Sequence, residues 1–377
     1  MIENEIRYKG NTVYIAVLPL IYINHLLMMH YLQLMIIYFY LSGGKWAMSK
    51  EVTEHQTKVT ESETDRLISR LKSLHYNIKT FKTHCKHKCY IASSTDHLKH
   101  IFIIPDNVEC IYDEHEVNMD TDLIMYPLYD YLSSLSGTLR VLGGSNLRST
   151  RLLLCDCTAN SIDLSSLETS KVRSMYGMFW GCKAHSLNIS SLNTDRVKNM
   201  ANMFRSCKAQ FLDLSHFNTS NVTNMHTMFA WCEAQSLDLR PFNTCNVINM
   251  ESMFLVCKTP SIDLSSFDTS NVTNMGQMFD DCEAQSLDLK SFNTSKVTLM
   301  CGMFEKCKAQ SLDLSSFDTR NVKTMFRMFY ECEAQNINLE SFKTRYFTYM
   351  VHMFDGCTAQ INVTDSSLKS QLQLDRR

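Results

Sequence analysis

The sequence predicts an α/β solenoid, a leucine-rich-repeat-like stack of eight 25-residue strand-turn-helix units behind a small N-terminal α/β cap. Three columns of residues predict it. A Met-Phe pair recurs every 25 residues, from Met178-Phe179 through Met278-Phe279 to Met353-Phe354. Cysteine keeps the same phase from Cys157 to Cys357, and a second Met stands three residues before each pair, from Met175 to Met350. Thr fills the third column, from Thr169 through Thr269 to Thr344. The repeat accounts for most of the 23 Met and 15 Cys among the 377 residues.

One copy, residues 262–286, supplies the elements in order. Leu287-Asp288-Leu289, which comes next, alternates as a short strand with its leucines inward. Phe292 turns back under the core. Val272, Met275, Met278, Phe279 and Cys282 are spaced three, three, one and three apart, which predicts one face of a short helix. Asp268, Thr269 and Ser270 precede that face, where side-chain oxygens cap free backbone N–H groups. Ordering one residue costs roughly 1–2 kcal/mol, so a single unit with a handful of apolar side chains does not fold alone. Stacking buries the faces and extends a parallel ladder by about 4.8 Å per copy. The Met and Cys columns read as core, because buried free Cys behaves as a small apolar residue. Cys245 and Cys301 fall outside the column and are expected to be exposed.

The stretch IDLSSFDTSNVTNMGQMFDDC, from Ile262 to Cys282, resembles the BspA-type leucine-rich repeat of bacterial surface proteins, and the resemblance covers roughly residues 150–360. It implies an elongated solenoid engaged in adhesion or partner binding, without catalysis, at the cell surface or membrane. The residues themselves point the same way. No G-x-S-x-G elbow, phosphate loop or H-E-x-x-H helix occurs, and no cofactor is called for. Apolar content of 45%, charged content of 20% and a net charge of −2 exclude wholesale disorder and any bulk attraction to nucleic acid.

Around the solenoid, expected over 151–363, lie three further regions. Residues 1–47 form an apolar N-terminal segment in which 12–41 lack Asp, Glu, Lys and Arg, long enough to cross a bilayer. Two readings fit it: a membrane anchor, or a mis-assigned start ahead of Met48, which makes the protein cytoplasmic. A membrane is a partner only on the first. Residues 48–150 form the cap. Leu67, Ile68, Leu71 and Leu74 share a helical face behind a capping box of Ser62 and Asp65. Tyr90-Ile91-Ala92 and residues 100–104 predict a hairpin ending at Pro105. Leu139-Arg140-Val141-Leu142 and Leu152-Leu153-Leu154 predict degenerate strands leading into the array. At the far end, Phe347 in place of Val and a link one residue short before Ile361-Asn362-Val363 mark a closing unit, with 364–377 as a polar tail.

Inward leucines force the residue between them outward. Asp213, Asp238, Asp263, Asp288 and Asp313 therefore form an exposed row on the parallel sheet, flanked by Ser236, Ser261 and Ser286. Stacked carboxylates repel, so this strip is read as a binding surface for a protein or peptide of basic character. The plainer alternative is a solvated strip with no ligand, the array then serving as a structural spacer or an intracellular interaction module. No metal site is assigned. Cys85, His87, Cys89 and His100, with His84 and His97 nearby, are the one cluster with zinc-ligand chemistry, but they lack a Cys-x2-Cys pair and alternate with Lys86 and Lys88 like a strand edge.

Overall fold

In the computed structural model, residues 2–8, 11–17, 61–83, 86–112, 127–345 and 348–375 are described, and the chain divides into two compact units, Met1–Gln56 and Thr57–Arg377. The first contains an antiparallel pair, β1 (Ile2–Tyr8) and β2 (Asn11–Val17), in register from Ile2↔Val17 to Tyr8↔Asn11. Most of the apolar stretch 12–41 lies outside the described residues. Among the described residues, no helix is long and apolar enough to cross a membrane.

The second unit opens with α1 (Glu61–Ser73), which begins ahead of the expected cap residue Ser62. It buries Leu71 and partly buries Leu67 and Ile68, whereas Leu74 follows the helix and is exposed. Next come β3 (Asn77–Lys82), β4 (Lys88–Ser93) and β5 (Lys99–Ile104), paired antiparallel with the hairpin expected ahead of Pro105. After α2 (Pro127–Leu132) the sheet turns parallel: β5 pairs β6 (Thr138–Gly143), β6 pairs β7 (Ser161–Leu167), and β7 pairs β8 (Ser186–Asn188). Cap and solenoid thus share one six-stranded sheet. Single bridges such as Ser186↔Phe211, Phe211↔Ser236 and Leu237↔Ile262 carry the ladder onward, and single amide bonds (Gln285 N–H to Pro260, Gln310 N–H to Gln285) link the next coils. Strands β9 (Ser311–Asp313), β10 (Asn336–Leu339) and β11 (Gln360–Val363) form a separate three-stranded sheet. Ile337 lies opposite Ile361, a step of 24 residues that reflects the shortened link.

The expected helix is absent from the repeat. Residues 176–181 and their equivalents form consecutive turns, with two left-handed residues in each: Gly177 and Gly181 at φ +57° and +65°, Thr227 and Trp231 at +51° and +53°, Gly302 and Lys306 at +59° and +51°. Their amides divide between two partners. The N–H of Met175 donates to Asn199 and that of Phe179 to Met203 in the next coil, both at 2.9 Å, while Met178 N–H closes a turn onto Met175 at 3.2 Å. Alternating right- and left-handed residues turn Met and Phe inward at helix-like spacing, which is why the pattern imitates a helix. Leu152-Leu153-Leu154, expected as a strand, is the first of these turns, with Leu152 at φ +55°. The array therefore has about nine stacked coils, with turn segments from 151–156 to 351–356, in place of eight strand-turn-helix units.

The core follows the expected columns. Phe179, Phe204, Phe229, Phe254, Phe279, Phe304, Phe329 and Phe354 form one continuous ring stack, with centroids 5.4–5.8 Å apart and planes within 9° of parallel. The paired Met residues and the Cys column are buried beside it. The tail is a structural element as well. In α3 (Ser366–Asp375) Leu368 is fully buried, and the helix lies against the last coil.

Candidate functional site

The sheet strip stands where the alternation placed it. Asp213, Asp238, Asp263, Asp288 and Asp313 are exposed, each between two buried apolar residues, and Ser236, Ser261 and Ser286 are exposed beside them. The reason for aspartate at this position is local. Its Oδ1 accepts the N–H two residues on, Ser215 at 3.1 Å, Ser265 at 3.0 Å and Ser315 at 3.2 Å, closing the turn that ends each strand. Asn188 and Asn338 make the same contact in their coils. Turn amides and Ser hydroxyls hold the carboxyls of Asp213, Asp263 and Asp313 below the ordinary carboxylate range. Asp238 is pulled down to about 2 by the Arg240 guanidinium, 2.6 Å away. Asp213, Asp263, Asp288 and Asp313 have no basic side chain within 4.0 Å among the described residues. A shallow depression of about 250 Å³ lies between two coils of the strip, lined by Ser286, Asp288, Lys290, Ser311 and Asp313. One aromatic interrupts the row: Phe211 is 67% exposed between Ser186 and Ser236.

Thr269 does cap a backbone N–H, but in the neighbouring coil. Its hydroxyl accepts from Asn293 N–H at 2.8 Å and donates to Asn293 C=O at 3.0 Å. Thr194, Thr219, Thr244, Thr294 and Thr319 repeat the pair of bonds, so the column is a buried ladder of inter-coil bridges. Asp268 instead accepts from Ser270 within its own coil, at 2.9 Å.

Those zinc-type residues that are described do not converge. Cys85 and His84 lie outside the described residues. Cys89 is fully buried, and burial pushes its thiol up to about 12. His100 is buried with both ring nitrogens engaged: Nδ1 with Ser93 Oγ at 2.8 Å, Nε2 with the carbonyls of Ser136 and His97 at 3.0 and 3.1 Å. His87 has a buried Nδ1 with no hydrogen-bond partner among the described residues. Among the described residues, no three His, Cys, Asp or Glu side chains are grouped to hold a metal ion. Burial also raises the thiols of Cys157, Cys232, Cys282 and Cys332 to about 12, so these four are thiol, not thiolate, at neutral pH. Cys245 and Cys301, expected to be exposed, are half-buried.

Stacked coils with a buried aromatic spine, a polar sheet strip and a capped far end define a β-solenoid repeat scaffold. The chain belongs to the family described as "Mycoplasma protein of unknown function, DUF285", which matches residues 150–265 and 256–366. No curated protein and no solved structure matches it.

Proposed function

We propose that the solenoid is a non-catalytic scaffold that binds a protein or peptide of basic character through the sheet strip, with Asp213, Asp263, Asp288 and Asp313 as the main contacts. The observation that carries this reading is the row itself: exposed carboxylates repeat once per coil, about 4.8 Å each, along the ladder, and Asp213, Asp263, Asp288 and Asp313 have no cation within 4.0 Å among the described residues. A rigid strip of like charge offers a pre-organised surface to an extended basic segment. The BspA-type resemblance of 262–282 extends the reading to adhesion at a cell surface.

The natural column suggests the test. Asn188 and Asn338 keep the turn contact without the charge, so Asp213→Asn, Asp238→Asn, Asp263→Asn, Asp288→Asn and Asp313→Asn together discharge the strip without opening it. Titration of an arginine-rich peptide onto the full chain is expected to lose at least about tenfold in affinity in this variant, along with its salt dependence. Equal binding by both proteins removes the strip from the site.

A further inference from the structure

In each turn segment the third and fourth residues, Met and Phe in most coils, face the core, while the first, fifth and sixth in most coils reach solvent. These outward positions do not repeat. Towards the N-terminal end they include Arg151, Tyr176, Trp180 and Arg205, with exposed Arg173 and Lys198 beside them, and one carboxylate, Asp156, which accepts the Tyr129 hydroxyl at 2.8 Å. Arg151 lies 4.1 Å over the Tyr176 ring, and Arg205 lies between Trp180 and Trp231 at 4.3 and 4.8 Å. The middle is mainly apolar, with Trp231, Leu255 and Val256 beside a His226–Glu251 contact at 3.7 Å. The far end carries Asp281, Glu305, Glu331 and Asp355, with Asp280 buried beneath them. The cations within it are already paired, Lys306 with Glu331 at 3.7 Å and Arg327 with Glu305 at 3.1 Å.

We propose that this turn face pairs with the same face of a second copy of the chain, antiparallel about a two-fold axis between segments 226–231 and 251–256. A face that runs from cationic through apolar to anionic is complementary to itself when reversed, the condition for an isologous dimer. A basic ligand matches only one end of it and an acidic ligand only the other. A second copy matches all three zones. The rotation sets Arg205 of each copy against Asp281 of the other, and brings the Trp231 and Val256 regions together at the axis. None of these residues belongs to the sheet strip, so the two readings stand or fall separately.

Sedimentation equilibrium of the full chain at tens of micromolar tests it. The proposal expects twice the monomer mass at low salt and dissociation at about 0.5 M salt, where charge pairs are screened. Arg205→Glu and, separately, Asp281→Arg are each expected to weaken association at least about tenfold, and the two combined to restore it. Thermal melts show that each variant is folded. Should Arg205→Glu not fold, Asp281→Arg alone decides, since Asp281 is half-buried and its contact with Lys308 is a loose 4.0 Å. A monomer at every salt concentration, or a dimer indifferent to both reversals, overturns the proposal.

Discussion

At the residue scale, the positions that matter most are polar groups working between coils. The Thr column is a clear instance: one hydroxyl satisfies a donor and an acceptor of the next coil in a place where nothing else reaches them. Asp280 is the opposite case. It is buried on the acidic end of the turn face, with Gln277 Nε2–H donating to it at 3.2 Å and Glu305 nearby. Its folded value near 6 lies above the ordinary one, so the stability tied to it is fully present below about pH 4 and is lost as pH rises through 6. Asp280→Asn keeps the Gln277 contact and removes the charge. In dilute protein it is expected to add about 1–2 kcal/mol at pH 7 and nothing near pH 4, read from urea midpoints at the two values. A pH-independent effect contradicts the assignment.

At the scale of the element, the turn segment is where sequence and structure part. Strand position, strip, Phe and Cys columns and the closing unit are legible from period and alternation alone. The secondary structure between them is not, because the 3-3-1-3 spacing of Val272, Met275, Met278, Phe279 and Cys282 serves a helix and a pair of turns equally. Left-handed backbone is ordinarily announced by Gly, yet here it is held by Thr227, Trp231, Val256 and Lys306. Inter-coil hydrogen bonds impose that geometry, and a single copy of the repeat cannot display them. The same holds for the thiol and Thr ladders' neighbours, and for Phe211, which breaks the Ser column in plain view but gains meaning only beside the strip. Lys306→Gly decides between the two geometries by sign. At φ +51° the change relieves left-handed strain and is expected to raise stability by about 0.5–1 kcal/mol. In a helix it costs about 1 kcal/mol. Lys306 is exposed and its pairing with Glu331 is loose, so little else changes.

At the scale of the whole second unit, a stack must end without leaving its ladders open. The N-terminal side solves this by merging the cap sheet with the first coils through β5 and β6. The C-terminal side uses carboxylates in place of a further coil. Asp365 accepts the Thr344 hydroxyl at 2.9 Å where other coils offer a carbonyl, and also receives the N–H groups of Ser367 and Leu368 at the start of α3. Asp375 accepts the Phe354 N–H at 2.9 Å, the bond that Phe329 makes to Met353. A segment with polar composition thus acts as a lid, with Leu368 and Leu372 as its apolar contacts to the core. The coil is the unit on which strip, turn face and lid all depend, and its rise is the central quantity. Spin labels at Ser186 paired with Ser286, Ser311 or Asn336, all exposed on the sheet, measure it by electron–electron dipolar spectroscopy. Separations of about 19, 24 and 29 Å, equal steps of about 4.8 Å per coil, are predicted; distances that fail to grow by one constant step contradict the stacked-coil account.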